Sequence, residues 1–578
     1  MGLTAACILL LPLAQTRAAA QDTAQDTARV ISPCDGLQVS AIEIRPQVPY
    51  YAGYTGQWGP LARAAASVHA TTRPQVIRSF LALHVGQPCT EVRREESERI
   101  LRAQPFLSEA RVTVFDDHMG GVRVDVFTAD EISVLGAVAA RSEAPHFVGL
   151  RLGDANLGGE GVRVVGEWAE GFGLRDHFGG RITDYAFANH PYQLSVQGNR
   201  DQLGGDWSAT LVHPFLTDLQ RFGWIVEAGE LRSYVSFLTP MSMESPTLDF
   251  SRHYAQVGAL ARLGRPGHVS LFGLSVSDEN ETSGSHPLLV GDSVVSVSDP
   301  SLVSRYSGFR AARLNLLFGV RDVSFRRVRG FDALNGEQDV LEGVQFGTLI
   351  GHSVEAFGAT SQDEFLASTV YAGGGSGRSY VGVVAESQAR HDVRSNQWDD
   401  ILVGGRAAWY WKPAMAHTVI VSEEYSLGLA QALPFELTLS DFRGGVRGYH
   451  ASLVGGGERS VTRFEERWLI GPVKEFGEIG VAAFSDVGRI WAEGVPYGLN
   501  SPTAVGVGLS LLAAVPIHSK RLWRVDFAVP ATHEPNVGRY EIRFSTTDAS
   551  GRFYIEPHDL ARARERTVPT SIFEYPPQ

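Results

Sequence analysis

Glu478 to Trp491 reads EIGVAAFSDVGRIW. Successive side chains on an extended strand point to opposite faces, so the stretch divides into two sets. Ile479, Val481, Ala483 and Val487 make an apolar face suited to lipid. Gly480, Ala482, Phe484, Asp486 and Gly488 make the other, and there a carboxylate sits among small residues and one ring. A carboxylate on that face belongs in a polar interior, which is what a membrane-spanning barrel encloses.

The same two-residue period recurs from about residue 131 onward. It is clear in QLSVQGNR (193–200), VSLFGLSVSDE (269–279), ILVGGRAAWYW (401–411), TVIVSEEYSLG (418–428), LWRVDFAVP (522–530) and GRYEIRFS (538–545). Gly, Asp, Asn and Pro clusters separate these segments, with long spacers expected at 279–308 and 323–341. About 420 residues at roughly ten per strand, with uneven loops, suit an all-β barrel of about 16 antiparallel strands over 131–548. A soluble propeller would repeat every 40 to 50 residues or so, and no such self-similarity is present. The chain has no run of about 18 apolar residues, so any membrane crossing is by strands.

The start of the chain has a different character. Residues 1–20 carry a short apolar run (AACILLLPLA, 5–14) and a triple alanine, the pattern of a secretory signal. A polar linker follows over 21–36. Residues 37–130 then read as a compact α+β unit in the order strand, helix, helix, strand, strand, with helices expected over 72–83 and from Thr90 to Arg102. Beyond the signal two cysteines remain, Cys34 and Cys89. In an oxidising compartment they form one disulfide or stay as separate thiols.

The residues of this unit resemble a POTRA domain, the periplasmic module of the BamA/TamA (Omp85, surface antigen D15) family of outer-membrane assembly barrels. The resemblance rests on VIRSFLALHVGQPCT (76–90), ESERILRAQPFLSEARVTVF (96–115) and GGVRVDVFTADE (120–131). Within the barrel region, Val446-Arg447-Gly448-Tyr449 resembles the family's VRG[FY] tip of a long inward loop. Glu465 and Arg467 resemble its E-x-R strand, and Phe484, Asp486 and Gly488 its F-x-D-x-G strand. Asn156, Leu157 and Gly161 look like the N-L-x-G-x-G turn after the first strand. Five strands between the motif and the barrel's end match the family order. A second match, Val328-Arg329-Gly330-Phe331, lacks the downstream partner strand and is read as chance or as another structured loop.

The resemblance implies that Arg447 enters the lumen, where a forked contact to Asp486 would satisfy its charge. Gly444, Gly445 and Gly448 are expected to supply positive-φ backbone for the tip. It also implies an outer-membrane protein with its amino-terminal domain in the periplasm. The partners implied are outer-membrane lipid, unfolded barrel or secreted clients, and periplasmic chaperones or accessory lipoproteins. Residues 549–578 are an extension, either periplasmic or a lumen plug.

The formal net charge of −13 argues against a nucleic-acid binder. The 17 histidines show no ligand-like spacing, and no catalytic motif is present, so neither enzyme activity, cofactor nor metal is expected. The function readings are an insertase or translocase, a passive pore or structural barrel, and an exporter of one separately encoded partner.

Overall fold

The computed structural model describes residues 34–49 and 69–565, apart from 142–145, 172–173, 240–241, 243, 292–293, 361, 475 and 549–552. The segments expected to be a signal sequence (1–20) and, for the most part, a polar linker (21–36) lie outside the described residues, as do 50–68 and 566–578.

The first unit is a four-stranded sheet covered by two helices. Its strands are β1 (Asp35–Gln47), β2 (Pro88–Thr90), β3 (Leu107–Asp116) and β4 (Val122–Asp130), in the order β2-β1-β4-β3 with β1 and β4 parallel. Helix α1 spans Pro74–Ser79 and α2 spans Glu91–Ala103. Val76, Ile77, Ile100 and Leu101 pack from the helices onto Val112, Val114, Val124 and Val126 of the sheet. Helix α1 is shorter than the periodicity of 72–83 predicts. Pro74 starts it, and Thr72 is held outside it, donating its backbone N–H and hydroxyl to the Asp130 carboxylate at 2.9 and 2.7 Å. Sheet structure begins at Asp35, two residues before the expected boundary. Cys34 and Cys89 are joined by a disulfide, with Cα atoms 4.9 Å apart, that ties the start of β1 to β2.

The second unit is a closed antiparallel barrel running from Val134–Arg141 to Glu541–Asp548, whose first and last strands are neighbours. Its wall holds twenty strands, a small hairpin at 288–296 being inserted beside it. The sequence reading of about sixteen is corrected upward, and the reason is local. Residues 134–213 contain six strands of eight or nine residues joined by short turns, where an average pitch allots about half as many. Later strands are far longer, reaching 21 residues in Ser245–Arg265 and Phe309–Arg329.

Strand Phe309–Arg329 shows why this is not a soluble β protein. Leu314, Leu316 and Val320 are exposed on the outside, while Arg313, Asn315 and Arg321 are fully buried inside. Apolar residues outside and paired charges inside invert the arrangement of a water-soluble sheet and suit a wall facing lipid. No described helix is long and apolar enough to cross a membrane.

The α+β unit is seated against one rim of the barrel. Asn156 donates to Thr72 Oγ1 at 2.7 Å, Arg102 forms a two-pronged pair with Asp339, and Ser519 and the Lys520 amide donate to Glu131. Arg327 pairs with Glu98. Burial works to raise the Glu98 carboxyl, but the Val112 amide, Arg102 and Arg327 together hold it below its usual range. A depressed carboxylate stabilises the folded joint above the ordinary glutamate range, and the contribution is lost as pH falls through the lowered one. Limited proteolysis during acid titration is expected to release the α+β unit over that window, and Glu98→Gln is expected to remove the step. Replacing both cysteines by alanine is expected to lower the unit's stability by about 2–4 kcal/mol, read as earlier proteolysis of the unit on heating.

Candidate functional site

The connection between strands His417–Leu429 and Glu458–Val473 does not project from the rim. It folds back into the barrel, and its tip residues are buried. Val446 packs with Leu439, Tyr449, Val461, Ile490 and Ala504. Tyr449 is buried and donates its hydroxyl to the Thr532 carbonyl at 2.8 Å. The Gly448 amide donates to Glu541 Oε2 at 2.7 Å, so the loop also touches the last wall strand.

Between them Arg447 makes the central contact. Its Nε and Nη2 donate to the two oxygens of Asp486 at 2.7 and 2.6 Å, its own amide adds a third bond at 3.2 Å, and Nη1 reaches Glu465 at 3.2 Å. The guanidinium lies 3.5 Å above the centre of the Phe484 ring. Phe484 and Asp486 thus act on one cation from one strand face, Gly477–Trp491, because they are two residues apart. Gly488, two further on, is a recess: a Cβ there would stand 2.3 Å from Val446 Cγ2. Gly506 on the next strand does the same for the backbone of Arg447, whose carbonyl oxygen would lie 2.0 Å from an added Cβ.

Glu465 extends the contact into a cluster. Arg524 donates to both of its oxygens at 3.0 and 2.6 Å and also pairs with Asp526 at 2.6 Å. Arg467 pairs with Glu465 and donates to the carbonyls of Phe331 and Asp332 at 3.0 and 2.9 Å. Arg447, Arg467 and Arg524 thereby meet Asp486, Glu465 and Asp526, three cations against three carboxylates, all inside the barrel. Charges withdrawn from water are tolerated only when paired and hydrogen-bonded in this way.

The sequence residues therefore converge in part. Val446, Arg447, Gly448, Tyr449, Phe484, Asp486, Gly488, Glu465 and Arg467 form one site. Arg524 and Asp526 were not singled out, although they share a face of LWRVDFAVP opposite Val525 and Phe527, which is a readable signal. Positive φ is found at Gly448 (+97°) but not at Gly444 or Gly445, which instead permit close approach. A Cβ on Gly445 would stand 2.1 Å from the Leu439 carbonyl oxygen.

Asn156 and Gly161 lie elsewhere, at the rim beneath the α+β unit. Asn156 Oδ1 accepts from the Gly161 amide at 2.7 Å and Nδ2 holds Thr72, while Leu157 is half exposed. Two wall strands precede this turn rather than one, since 134–154 folds as a hairpin. The second VRGF match is a turn, not a long loop: its strand runs to Arg329 and resumes at Glu337. Phe331 of that turn reaches inward and stacks on Tyr410 with ring centres 5.1 Å apart.

No protein-family model matches the chain, and no curated protein matches it. Solved structures similar to it include CdiB from Escherichia coli, at 12% identity and a TM-score of 0.41 over 91% of this chain and 92% of that one. CdiB from Acinetobacter baumannii is similar at 9% identity and a TM-score of 0.39, over 88% of this chain and 74% of that one. BamA from Haemophilus ducreyi lacking POTRA domains 1–3 is similar at 11% identity and 0.38, over 88% and 85%.

Arg447→Ala leaves two buried carboxylates short of a partner and is expected to destabilise the barrel by about 3–5 kcal/mol. The gel shift between folded and heat-denatured barrel measures this. Asp486→Ala is expected to cost a similar amount, and the double variant much less than the sum, because the second change removes a charge already unpaired.

Proposed function

We propose that the chain is an outer-membrane barrel of the BamA/TamA kind that helps insert or translocate client proteins, with its α+β unit in the periplasm and no chemistry of its own. The observation that carries this reading is the inward loop fixed by Arg447 to Asp486 and Glu465 inside a barrel with an α+β unit docked at one rim. The loop packs on three successive wall strands, through Val461, Ile490 and Ala504, and also reaches the last one. Such a loop is placed to couple to the seam, since the Gly448 amide donates to Glu541 on the closing strand.

The seam joins two strands of eight residues, Val134–Arg141 and Glu541–Asp548. A short pairing has few ladder bonds to break, and an opened edge can take a client strand without leaving its backbone unpaired in lipid. Strand β3 is an edge of the α+β sheet; Glu98 and Arg94 hold its Val112 amide and carbonyl, so an unfolded segment would add by strand pairing along the part beyond Val112. The partners of this reading are lipid, unfolded barrel or secreted proteins, and periplasmic chaperones or accessory lipoproteins.

Depletion of the protein followed by quantitative proteomics of the outer membrane tests the reading. Loss of several other barrel proteins is the expected result, with Arg447→Ala producing a partial version of it. Loss of a single secreted protein would select dedicated export, and a change in permeability alone would overturn the proposal.

A further inference from the structure

Residues 553–565 follow the last wall strand and return into the barrel. Phe553 sits between Tyr371 and Tyr380, near the Ser376–Ser379 turn at the rim that carries the α+β unit. Glu565 pairs with Arg313, which also holds Asp363, near the opposite ends of strands Phe309–Arg329 and Asp363–Ser376. The segment therefore runs along the lumen from one rim toward the other, with one short helix, α3 (His558–Ala563), on the way.

The wall is shaped to receive it. Four wall arginines grip the segment in sequence. Arg406 donates to the Phe553 carbonyl at 2.6 Å, and Arg459 pairs with Asp559 at 2.5 and 3.0 Å. Arg252 donates to the carbonyls of Arg562, Ala563 and Arg564 at 3.1, 3.1 and 2.8 Å, and Arg313 pairs with Glu565. Wall glycines leave space for the side chains. A Cβ on Gly382 would stand 2.7 Å from the Phe553 ring, and one on Gly404 would stand 2.6 Å from Leu560 Cδ2. Leu560 is fully buried against Leu402, Phe435 and Leu437.

Two of these arginines do not depend on the segment for neutralisation. Arg252 also pairs with Glu279 and Glu281 of the wall, and Arg313 with Asp363. From its occupant the track reads carbonyl groups and the Asp559 and Glu565 carboxylates, and it also meets the Arg562 and Arg564 guanidiniums at the Tyr234 carbonyl and Glu386, groups that another peptide could offer. Asp559 has a further role: it accepts from the Thr438 amide as well as Arg459, so it joins the segment to the inward loop. Pro557 likewise lies against Gly444 near the loop tip.

We propose that the lumen wall carries a binding track for a peptide that presents two carboxylates at the spacing of Asp559 and Glu565, and that residues 553–565 are its resident, exchangeable occupant. The lumen passes ions only when that segment leaves. This goes beyond the client-handling reading and stands without it, because it concerns the lumen and not the seam.

The test is a full-length chain carrying a protease site between Asp548 and Phe553, folded with its segment in place and cleaved afterwards. Purified protein in a planar lipid bilayer is expected to give no discrete current steps before cleavage, and to gain them after cleavage and a high-salt wash. A synthetic peptide of residues 553–565 is expected to abolish the steps, and the same peptide carrying Asp559→Lys and Glu565→Lys is expected to leave them. Unchanged current after cleavage, with release of the peptide verified by mass spectrometry, would overturn the proposal. So would equal block by both peptides, since recognition would then not involve the carboxylates.

Discussion

Glu465 is one carboxylate with three guanidinium partners, and each partner brings a different part of the molecule. Arg447 comes from the inward loop, and Arg524 from a wall strand close to the end of the barrel. Arg467 lies on the same strand as Glu465 but passes its remaining donors to the turn at Phe331 and Asp332. Loop, wall and rim turn are thus held through one anion. A fully buried carboxylate is costly alone, so removing any of the three cations affects the other two.

Electroneutrality explains much of how the rest of the lumen is filled. A closed barrel with polar inward faces has to satisfy every charge it encloses, with protein or with water. Here much of the work is done by protein: the loop neutralises Asp486, the segment at 553–565 brings Asp559 to Arg459, and wall pairs such as Arg313–Asp363 supply their own balance. The glycines at 382, 404, 488 and 506 make the complementary contribution in shape. They are recesses in the wall where an inner element comes too close for a side chain.

What could be read from the sequence was whatever has a period or a short spacing. Alternation along 478–491 is enough to put Asp486 and Phe484 on one face and to make that face the lumen, and the pair then accounts for Arg447. The strand number could not be read in the same way. It depends on how long each strand runs, and eight-residue and 21-residue strands look alike to a period-two pattern. The path of residues 553–565 was not legible either. Nothing local distinguishes a carboxylate such as Asp559 that meets a wall arginine a hundred positions earlier from one that faces solvent. Thr72 failed as a helix residue for a related reason, since its partners Asp130 and Asn156 are distant in the chain.

The loop between Leu429 and Glu458 is tethered to the wall at both ends. It cannot be threaded into a finished cylinder by a free tip; it enters doubled through a rim or is enclosed as the last strands come together. Its close charge partners Glu465 and Asp486 both follow it in the chain, so during synthesis Arg447 emerges before the carboxylates that hold it in the folded barrel. The carboxylates in turn cannot be enclosed cheaply until that arginine is among them. Closing the cylinder and delivering the loop are therefore a single cooperative event, and an empty closed barrel is not a low-energy intermediate on the way to this fold.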